Sequence, residues 1–189
     1  MEKETMVINS NAQNPIAKGV VVLQEPFGFD PTRFIQLADP TRERPSFVPV
    51  KWRMPHNRAE NEIFLYFGSF QASTNTYFSL YSLPEALKRD FTIGDLDFPV
   101  PVVGFVIIVD ASYVDRKPRL EASTILWVQH DNLPIVIAAI NTKGLQEDRE
   151  KLSEVIHLTS EMPVVWSAGG LTDEYVEHTL KTLYAEITK

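Results

Sequence analysis

The hydrophobic positions of this chain follow one pattern beyond residue 100 and another before it. In the later part, continuous apolar runs typical of fully buried strands alternate with amphipathic segments of helical period. The predicted strands are Val102–Asp110, Leu133–Asn141 and Pro163–Ser167, and the predicted helices are Arg116–Gln129, Leu145–Leu158 and Thr172–Ile187. Such alternation builds βαβ units, so a mostly parallel α/β sheet is predicted.

The earlier part combines one buried strand with aromatic-rich segments. Gly19–Leu23 is a continuous apolar run, and a short helix is predicted at Pro31–Leu37. Glu62–Gly68 and Thr76–Leu83, separated by Ser69–Asn75, predict a β-hairpin. The remaining segments predict one long proline-rich loop and one short helix, at Pro40–Asn61 and Pro84–Phe91.

Composition restricts the class of partner. The chain has 189 residues, a net charge of −7 and no cysteine. The charge argues against nucleic acid or anionic membrane as the main partner, and the lack of cysteine excludes disulfides and thiolate chemistry. The four histidines are scattered without ligand spacing, so no metal site is expected. We expect a flexible lead-in at 1–17, a single domain at 18–189, no membrane span and a cytoplasmic location.

The segment after the first strand looks like a phosphate-binding loop that has lost its chemistry. In the motif G-x-x-x-x-G-K-[ST], backbone N–H groups and a lysine hold phosphates. Here Glu25 and Asp30 occupy the glycine positions and Pro31 the lysine position. Two carboxylates repel a phosphate, and proline lacks both the amide donor and the ammonium group. The degenerate loop consists of Glu25, Pro26, Phe27, Gly28, Phe29, Asp30, Pro31 and Thr32.

Two interpretations remain open for the polar residues of this loop. The hydroxyl of Thr32 either contacts a metal ion or makes a local hydrogen bond in the first helical turn, which we favour. Glu25 and Asp30 either form a cation site together, or Asp30 caps the helix that begins at Pro31, which we again favour.

Several short motifs resemble the Ras-like small GTPases, in particular the bacterial gliding-motility and cell-polarity group and its conservon relatives. The first loop of that group often has the sequence GPFGAGKTTF, and this chain shares Pro26-Phe27-Gly28, Thr32 and Phe34. Phe105–Asp110 matches a later strand of the family, and Ile137–Asn141 matches the strand that leads into its guanine motif. Over residues 18–187, the resemblance implies a Ras-like P-loop NTPase fold. About six mostly parallel strands, one antiparallel edge strand and helices on both faces are expected.

Two further motifs of the family are broken. In the guanine motif N-K-x-D, Asn141 is kept, but Thr142 replaces the lysine and Gly144 the aspartate. The switch motif T-P-G-Q corresponds to Leu83, Pro84, Glu85 and Ala86, so the glycine that meets the γ-phosphate is lost. Asn141, Ser167 and Ala168 either line a residual nucleoside pocket or are turn residues at strand ends.

The aromatic hairpin is the candidate partner surface. Its rings are Phe64, Tyr66, Phe70, Tyr77 and Tyr81. The resemblance places these strands at an edge of the sheet beside the switch regions. Such an edge recruits a partner by strand addition or ring burial, whereas the alternative is that alternate rings fill the core.

Together these patterns predict a catalytically inactive pseudo-GTPase that acts as a protein–protein interaction module. No enzyme activity and no cofactor are expected. The resemblance implies a signalling or polarity-type complex with a Roadblock/longin-type protein or a GTPase paralogue, as a homo- or heterodimer. The alternative is a protein that still binds a nucleotide through a non-standard phosphate site. In that case a basic residue replaces the lost lysine, the candidates being Arg33, Lys51, Arg53 and Arg58.

Overall fold

The computed structural model describes residues 15–24, 29–39, 46–53, 60–83, 93–112, 128, 132–141, 149–156 and 158–189. The predicted helices at Pro84–Phe91 and Arg116–Gln129 lie outside these residues, except for Val128, which is buried. Most of the predicted lead-in at 1–17 also lies outside them.

The described elements keep the predicted order of strands and helices, and two strands that were not predicted, Ser46–Arg53 and Leu96–Asp97, are added to it. The strands are β1 (Ile16–Gln24), β2 (Ser46–Arg53), β3 (Glu60–Ser73), β4 (Thr76–Ser82), β5 (Leu96–Asp97), β6 (Val102–Asp110), β7 (Ile135–Ile140) and β8 (Val164–Ser167). The helices are α1 (Pro31–Ala38), α2 (Arg149–Ile156) and α3 (Asp173–Ile187), and a 3-10 turn spans Ile93–Asp95.

One sheet joins the strands of the described ranges, in the order β5-β2-β3-β4-β1-β6-β7-β8. The neighbours from β4 to β8 pair in parallel, whereas β3 pairs antiparallel with β4, β2 with β3, and β5 with β2. The predicted α/β class with a mostly parallel sheet is confirmed. Within the described ranges, the sheet nevertheless has eight strands instead of about six, and its antiparallel side has three strands instead of one.

The additional strand β2 lies inside the segment predicted as a single loop, Pro40–Asn61, and that prediction is wrong for Ser46–Arg53. Alternate side chains of β2 pack into the core, namely Val48, Val50 and Trp52. Pro49 lies between them and concealed this period-two pattern, because proline has no N–H to donate to a sheet and is confined to edge strands.

The predicted hairpin is confirmed, but its first strand is longer than expected. β3 runs to Ser73, so the predicted connection Ser69–Asn75 is mostly strand, and Thr74 and Asn75 form the turn. The β3–β4 register is irregular between Gln71 and Ser73, immediately before that turn.

Helices cover both faces of the sheet, as predicted. On the first face, α2 contributes Leu152 and Ile156 to a core that also contains Val21, Tyr81 and Ile107. On the second face, α1 and α3 pack over a separate core. Its fully buried members include Val20, Val22, Phe34, Phe78, Val106, Val176 and Leu180.

Helix α1 approaches the sheet closely where β3 has a glycine. A Cβ atom on Gly68 would overlap the Cγ2 atom of Ile35. Next to this contact, the carboxylate of Asp39 accepts hydrogen bonds from the backbone N–H and the hydroxyl of Ser69, at 2.9 and 2.8 Å. These contacts fix the C-terminal half of α1 on β3.

Helix α3 is joined to the edge strand β8 through a buried phenol. The hydroxyl of Tyr175 donates a hydrogen bond of 2.9 Å to the carbonyl oxygen of Val165. Burial raises the pKa of the Tyr175 phenol above its usual value of 10.0, because the ionised form loses its hydration.

We expect Tyr175→Phe to lower the free energy of unfolding by about 1–3 kcal/mol, since the buried carbonyl of Val165 loses its donor. The unfolded phenol ionises near its usual pKa of 10.0, while the folded phenol stays neutral to higher pH. The contribution of Tyr175 to stability is therefore complete below pH 10 and decreases above it. Urea denaturation at pH 7 and pH 11 measures both effects, with Tyr77→Phe on β4 as the control. An equal loss in the two variants at pH 7 would contradict the prediction.

We expect Gly68→Ala to destabilise the protein by about 1–3 kcal/mol, because Ile35 and the helix that carries it have to move. Ile35→Ala removes the Cγ2 atom that the new methyl group meets. The double variant should therefore lose less stability than the sum of the two single variants. Urea denaturation of all four proteins measures this coupling. Additive losses would show that α1 does not press on β3 at this point.

Candidate functional site

The N-terminus of α1 and the ends of β4, β6, β7 and β8 lie along the carboxyl edge of the sheet. Open α/β sheets bind their ligands at this edge. The structure describes these predicted site residues: Phe29, Asp30, Pro31, Thr32, Leu83, Asn141, Ser167 and Ala168. The other predicted site residues, Glu25, Pro26, Phe27, Gly28, Pro84, Glu85, Ala86, Thr142 and Gly144, lie outside the described residues.

Asp30 is the N-cap of α1, as predicted. One carboxylate oxygen accepts a hydrogen bond from the backbone N–H of Thr32 at 2.9 Å, and the other accepts one from the Thr32 hydroxyl at 2.7 Å. In this arrangement the hydroxyl of Thr32 is directed at a carboxylate of its own chain. A phosphate-binding loop instead uses the equivalent hydroxyl to hold Mg²⁺.

The amide donors of the first helical turn are already used or missing. Pro31 has no N–H, the Thr32 N–H is bonded to the Asp30 side chain, and the Arg33 N–H donates to the Asp30 carbonyl at 3.2 Å. A helix N-terminus attracts anions through such free donors and its partial positive charge. In this protein the carboxylate of Asp30, rather than a bound anion, lies at the N-terminus of the helix.

Four basic residues were proposed to replace the lost lysine. Those whose side chains the structure describes do not point to the N-terminus of α1. The guanidinium Nη1 of Arg33 donates to Oε1 of Gln36, one turn further along α1, at 3.4 Å. Lys51 lies exposed on β2. The side chains of Arg53 and Arg58 lie outside the described residues.

Two of the predicted base-recognition residues lie next to each other at the ends of adjacent strands. Asn141 follows β7 and is buried, and its backbone N–H donates to the carbonyl of Ser167 at 2.7 Å. The Ser167 hydroxyl donates to the carbonyl of Gly170 at 2.6 Å, and it accepts from the Gly169 N–H at 3.5 Å. Ser167 thus stabilises the turn between β8 and α3.

That turn depends on a glycine that the sequence analysis did not single out. Gly170 has a φ of +103°, in a region that residues with a side chain rarely adopt. Thr172 then caps α3 by accepting a hydrogen bond from the N–H of Tyr175 at 3.2 Å. The pair Gly169-Gly170, followed two residues later by Thr172, was the available signal for this turn.

The ends of the central strands also carry local hydrogen bonds. Asp110, at the end of β6, accepts a hydrogen bond from the backbone N–H of Ser112 at 2.9 Å, which closes the turn that follows. Leu83, the first residue of the degenerate switch motif, is 1% exposed within the first core. Among the described residues, no group of three or more acidic or histidine side chains is arranged to hold a metal ion.

The predicted partner surface is only partly exposed, and it does not lie at an edge. β3 pairs with β2 and β4, and β4 pairs with β1, so the expectation of an edge position is wrong. Tyr81 is 1% exposed in the first core, beside Phe67 and Phe98. Tyr66, Phe70 and Tyr77 are half-buried, and Phe64 alone of the five predicted rings is exposed, at 63%.

A ring that the sequence analysis missed lies beside the exposed one. Phe47 on β2 is 60% exposed and contacts Tyr66 edge to face, with ring centroids 5.7 Å apart. Phe47 and Phe64 therefore belong to one exposed surface, on the second face of the sheet. The signal for Phe47 was the alternation Phe47, Pro49, Lys51 against Val48, Val50, Trp52.

Sequence comparison leaves the family open, since no protein-family profile and no curated protein sequence matches this chain. In the described part of the chain, no helix has the length and apolar character that crossing a membrane requires.

Comparison with solved structures identifies the fold. The cytosolic domain of L. pneumophila FeoB aligns with a TM-score of 0.50 at 13% identity, covering 90% of this chain. This chain spans 64% of the length of that domain. GDP-bound T. brucei IFT22 aligns with a TM-score of 0.44 at 8% identity, covering 90% of this chain and 97% of that one. The FeoB domain is a small GTPase-like protein, and on that alignment the fold of this chain is that of the Ras-like P-loop GTPases.

Proposed function

We propose that this protein is a pseudo-GTPase that binds no nucleotide and acts through protein contacts. The observation that carries the proposal is the N-terminus of α1, where Asp30 accepts hydrogen bonds from both donors of Thr32. A nucleotide triphosphate would have to displace the Asp30 carboxylate from the N-terminus of α1. The carboxylate is negatively charged like the phosphates, so it repels them, and its hydrogen bonds with Thr32 would be lost.

Losses at the other two family motifs support the same proposal. Guanine recognition lacks the lysine and the aspartate of its motif, and the switch motif lacks its glycine. Without a γ-phosphate to order the switch loops, the usual nucleotide-dependent order–disorder transition is absent. The protein would then present the same contact surface at all times.

For the partner, the proposal follows the family resemblance. It names a Roadblock/longin-type protein or a GTPase paralogue, in a cytoplasmic signalling or polarity-type complex. Calorimetric titration with a purified protein of either class tests this part. Absence of binding to both classes would contradict the proposed partner and leave the nucleotide question unaffected.

We expect GTP, GDP and ATP with Mg²⁺ to leave the melting temperature unchanged. A nucleotide at about 100 times its Kd would add roughly 2.7 kcal/mol to the free energy of unfolding. At about 2–4 °C per kcal/mol for this chain length, the melting temperature would rise by about 5–11 °C. A selective shift with one nucleotide would contradict the proposal. It would instead favour a non-standard phosphate site, and Arg33→Ala would then be expected to abolish the shift.

A reconstructed loop tests the physical reason for the loss. The triple variant Glu25→Gly, Asp30→Gly, Pro31→Lys restores the pattern G-x-x-x-x-G-K-T over residues 25–32. We expect it to be stabilised by GTP and ATP alike, because it regains phosphate donors while guanine recognition stays broken. The matched control Glu25→Gly, Asp30→Gly, Pro31→Ala lacks the ammonium group and should show a smaller shift. If the folded triple variant gains no nucleotide-dependent stability, these three residues are not the cause of the loss.

A further inference from the structure

The outward side of β2 and β3 presents six side chains in three cross-strand pairs, here called the β2–β3 face. The register places Phe47 opposite Tyr66, Pro49 opposite Phe64, and Lys51 opposite Glu62. Five of these residues are exposed, and Tyr66 is half-buried in contact with the Phe47 ring. Two of the three exposed large hydrophobic residues in the described part of the chain, Phe47 and Phe64, lie on this face.

This face is suited to contact through its side chains and poorly suited to strand addition. The N-terminal part of β2 contains Pro49, which cannot donate a main-chain hydrogen bond to an added strand. Its C-terminal part is already paired, since Lys51 and Trp52 lie opposite Asp97 and Leu96 of β5. A partner would therefore have to cover the exposed rings from above the sheet.

The charge pattern of the face is complementary to itself. Consider a twofold axis parallel to the strands and midway between β2 and β3, with two copies stacked face to face at about 10 Å. Rotation about this axis places β2 of one copy over β3 of the other without a shift along the strands. Each Lys51 then lies over the Glu62 of the second copy, each Pro49 over a Phe64, and each Phe47 over a Tyr66.

We propose that the β2–β3 face is a docking surface for a second copy of this chain, with the two copies related by that axis. The inference deepens the proposed protein-contact function and rests on it. Stacking buries the rings of both chains and forms two Lys51–Glu62 ion pairs between them. Each pair lies at the border of an apolar contact, where opposite charges set the alignment of the partners.

Exchanging the charges tests the proposed alignment. Lys51→Glu or Glu62→Lys alone would turn both intermolecular ion pairs into like-charge pairs, and we expect either to weaken dimerisation by about tenfold or more. The double variant Lys51→Glu, Glu62→Lys restores opposite charges at both positions and should return the dimerisation constant to within about threefold of wild type. Sedimentation equilibrium over a dilution series measures the constants. Lys181→Glu on α3 is the control, because it changes the net charge as Lys51→Glu does, on a different element of the fold.

Removing a ring tests the apolar part of the contact. Phe64→Ser should abolish the dimer over the same dilution series. Ile16→Ser removes a side chain of similar exposure, 59%, at the start of β1 and should leave the dimer intact. Urea denaturation of each variant as a monomer shows whether a loss of dimer merely reflects unfolding.

The outcomes of these experiments distinguish the second-copy proposal from the pseudo-GTPase proposal. A wild-type protein that stays monomeric throughout, or a dimer that survives Phe64→Ser, overturns the second-copy proposal. Single charge variants that weaken the dimer without recovery in the double variant overturn the proposed axis. A partner of another sequence that binds only when Phe64 is intact would show that the face serves a heterologous contact. None of these results depends on nucleotide binding, so the pseudo-GTPase proposal fails or stands on the thermal-shift measurements.

Discussion

The close contact between α1 and β3 determines which part of the second face of the sheet is covered. The helix can lie this near because residue 68 is a glycine, and the hydrogen bonds from Ser69 to Asp39 hold its C-terminal end in place. A helix of 8 residues is only about 12 Å long, so it shields a small part of the strands beneath it. Strand β2 and the first half of β3 extend beyond the area that α1 covers, and Phe47 and Phe64 remain exposed there.

On the proposed function, the other end of the same helix explains how the fold persists without a bound nucleotide. A nucleotide-binding protein of this fold relies on bound phosphate to satisfy the donors at the helix N-terminus. In this chain Asp30 satisfies them, and Pro31 removes one donor altogether. On the proposed function, the residues that replace the phosphate-binding motif therefore also stabilise the helix terminus in the absence of a nucleotide. A carboxylate N-cap contributes about 0.5–2 kcal/mol relative to alanine, independently of any ligand concentration.

The sequence predicted the parallel part of the fold well, because fully apolar runs such as Val102–Asp110 leave little choice of structure. The helix cap at Asp30 was predictable for a similar reason, since it depends on residues within one turn. The position of the aromatic hairpin was not predictable in this way. Whether β3 lies at an edge depends on β2, and Pro49 together with the surrounding charges concealed that strand. Burial of Tyr81 also depends on partners distant in sequence, such as Phe98.

The additional strands change how a protein of this fold can contact a partner. In the family that the sequence resembles, the strand equivalent to β3 is expected at the edge of the sheet and available for strand addition. Here β2 and β5 of the same chain occupy that side, and Pro49 limits further pairing. On this side of the sheet, contact through the face is then favoured, and the cross-strand side-chain pairs determine the shape and the charge of that face. The backbone of the sheet fixes this face, so on the proposed function its availability does not depend on a nucleotide state.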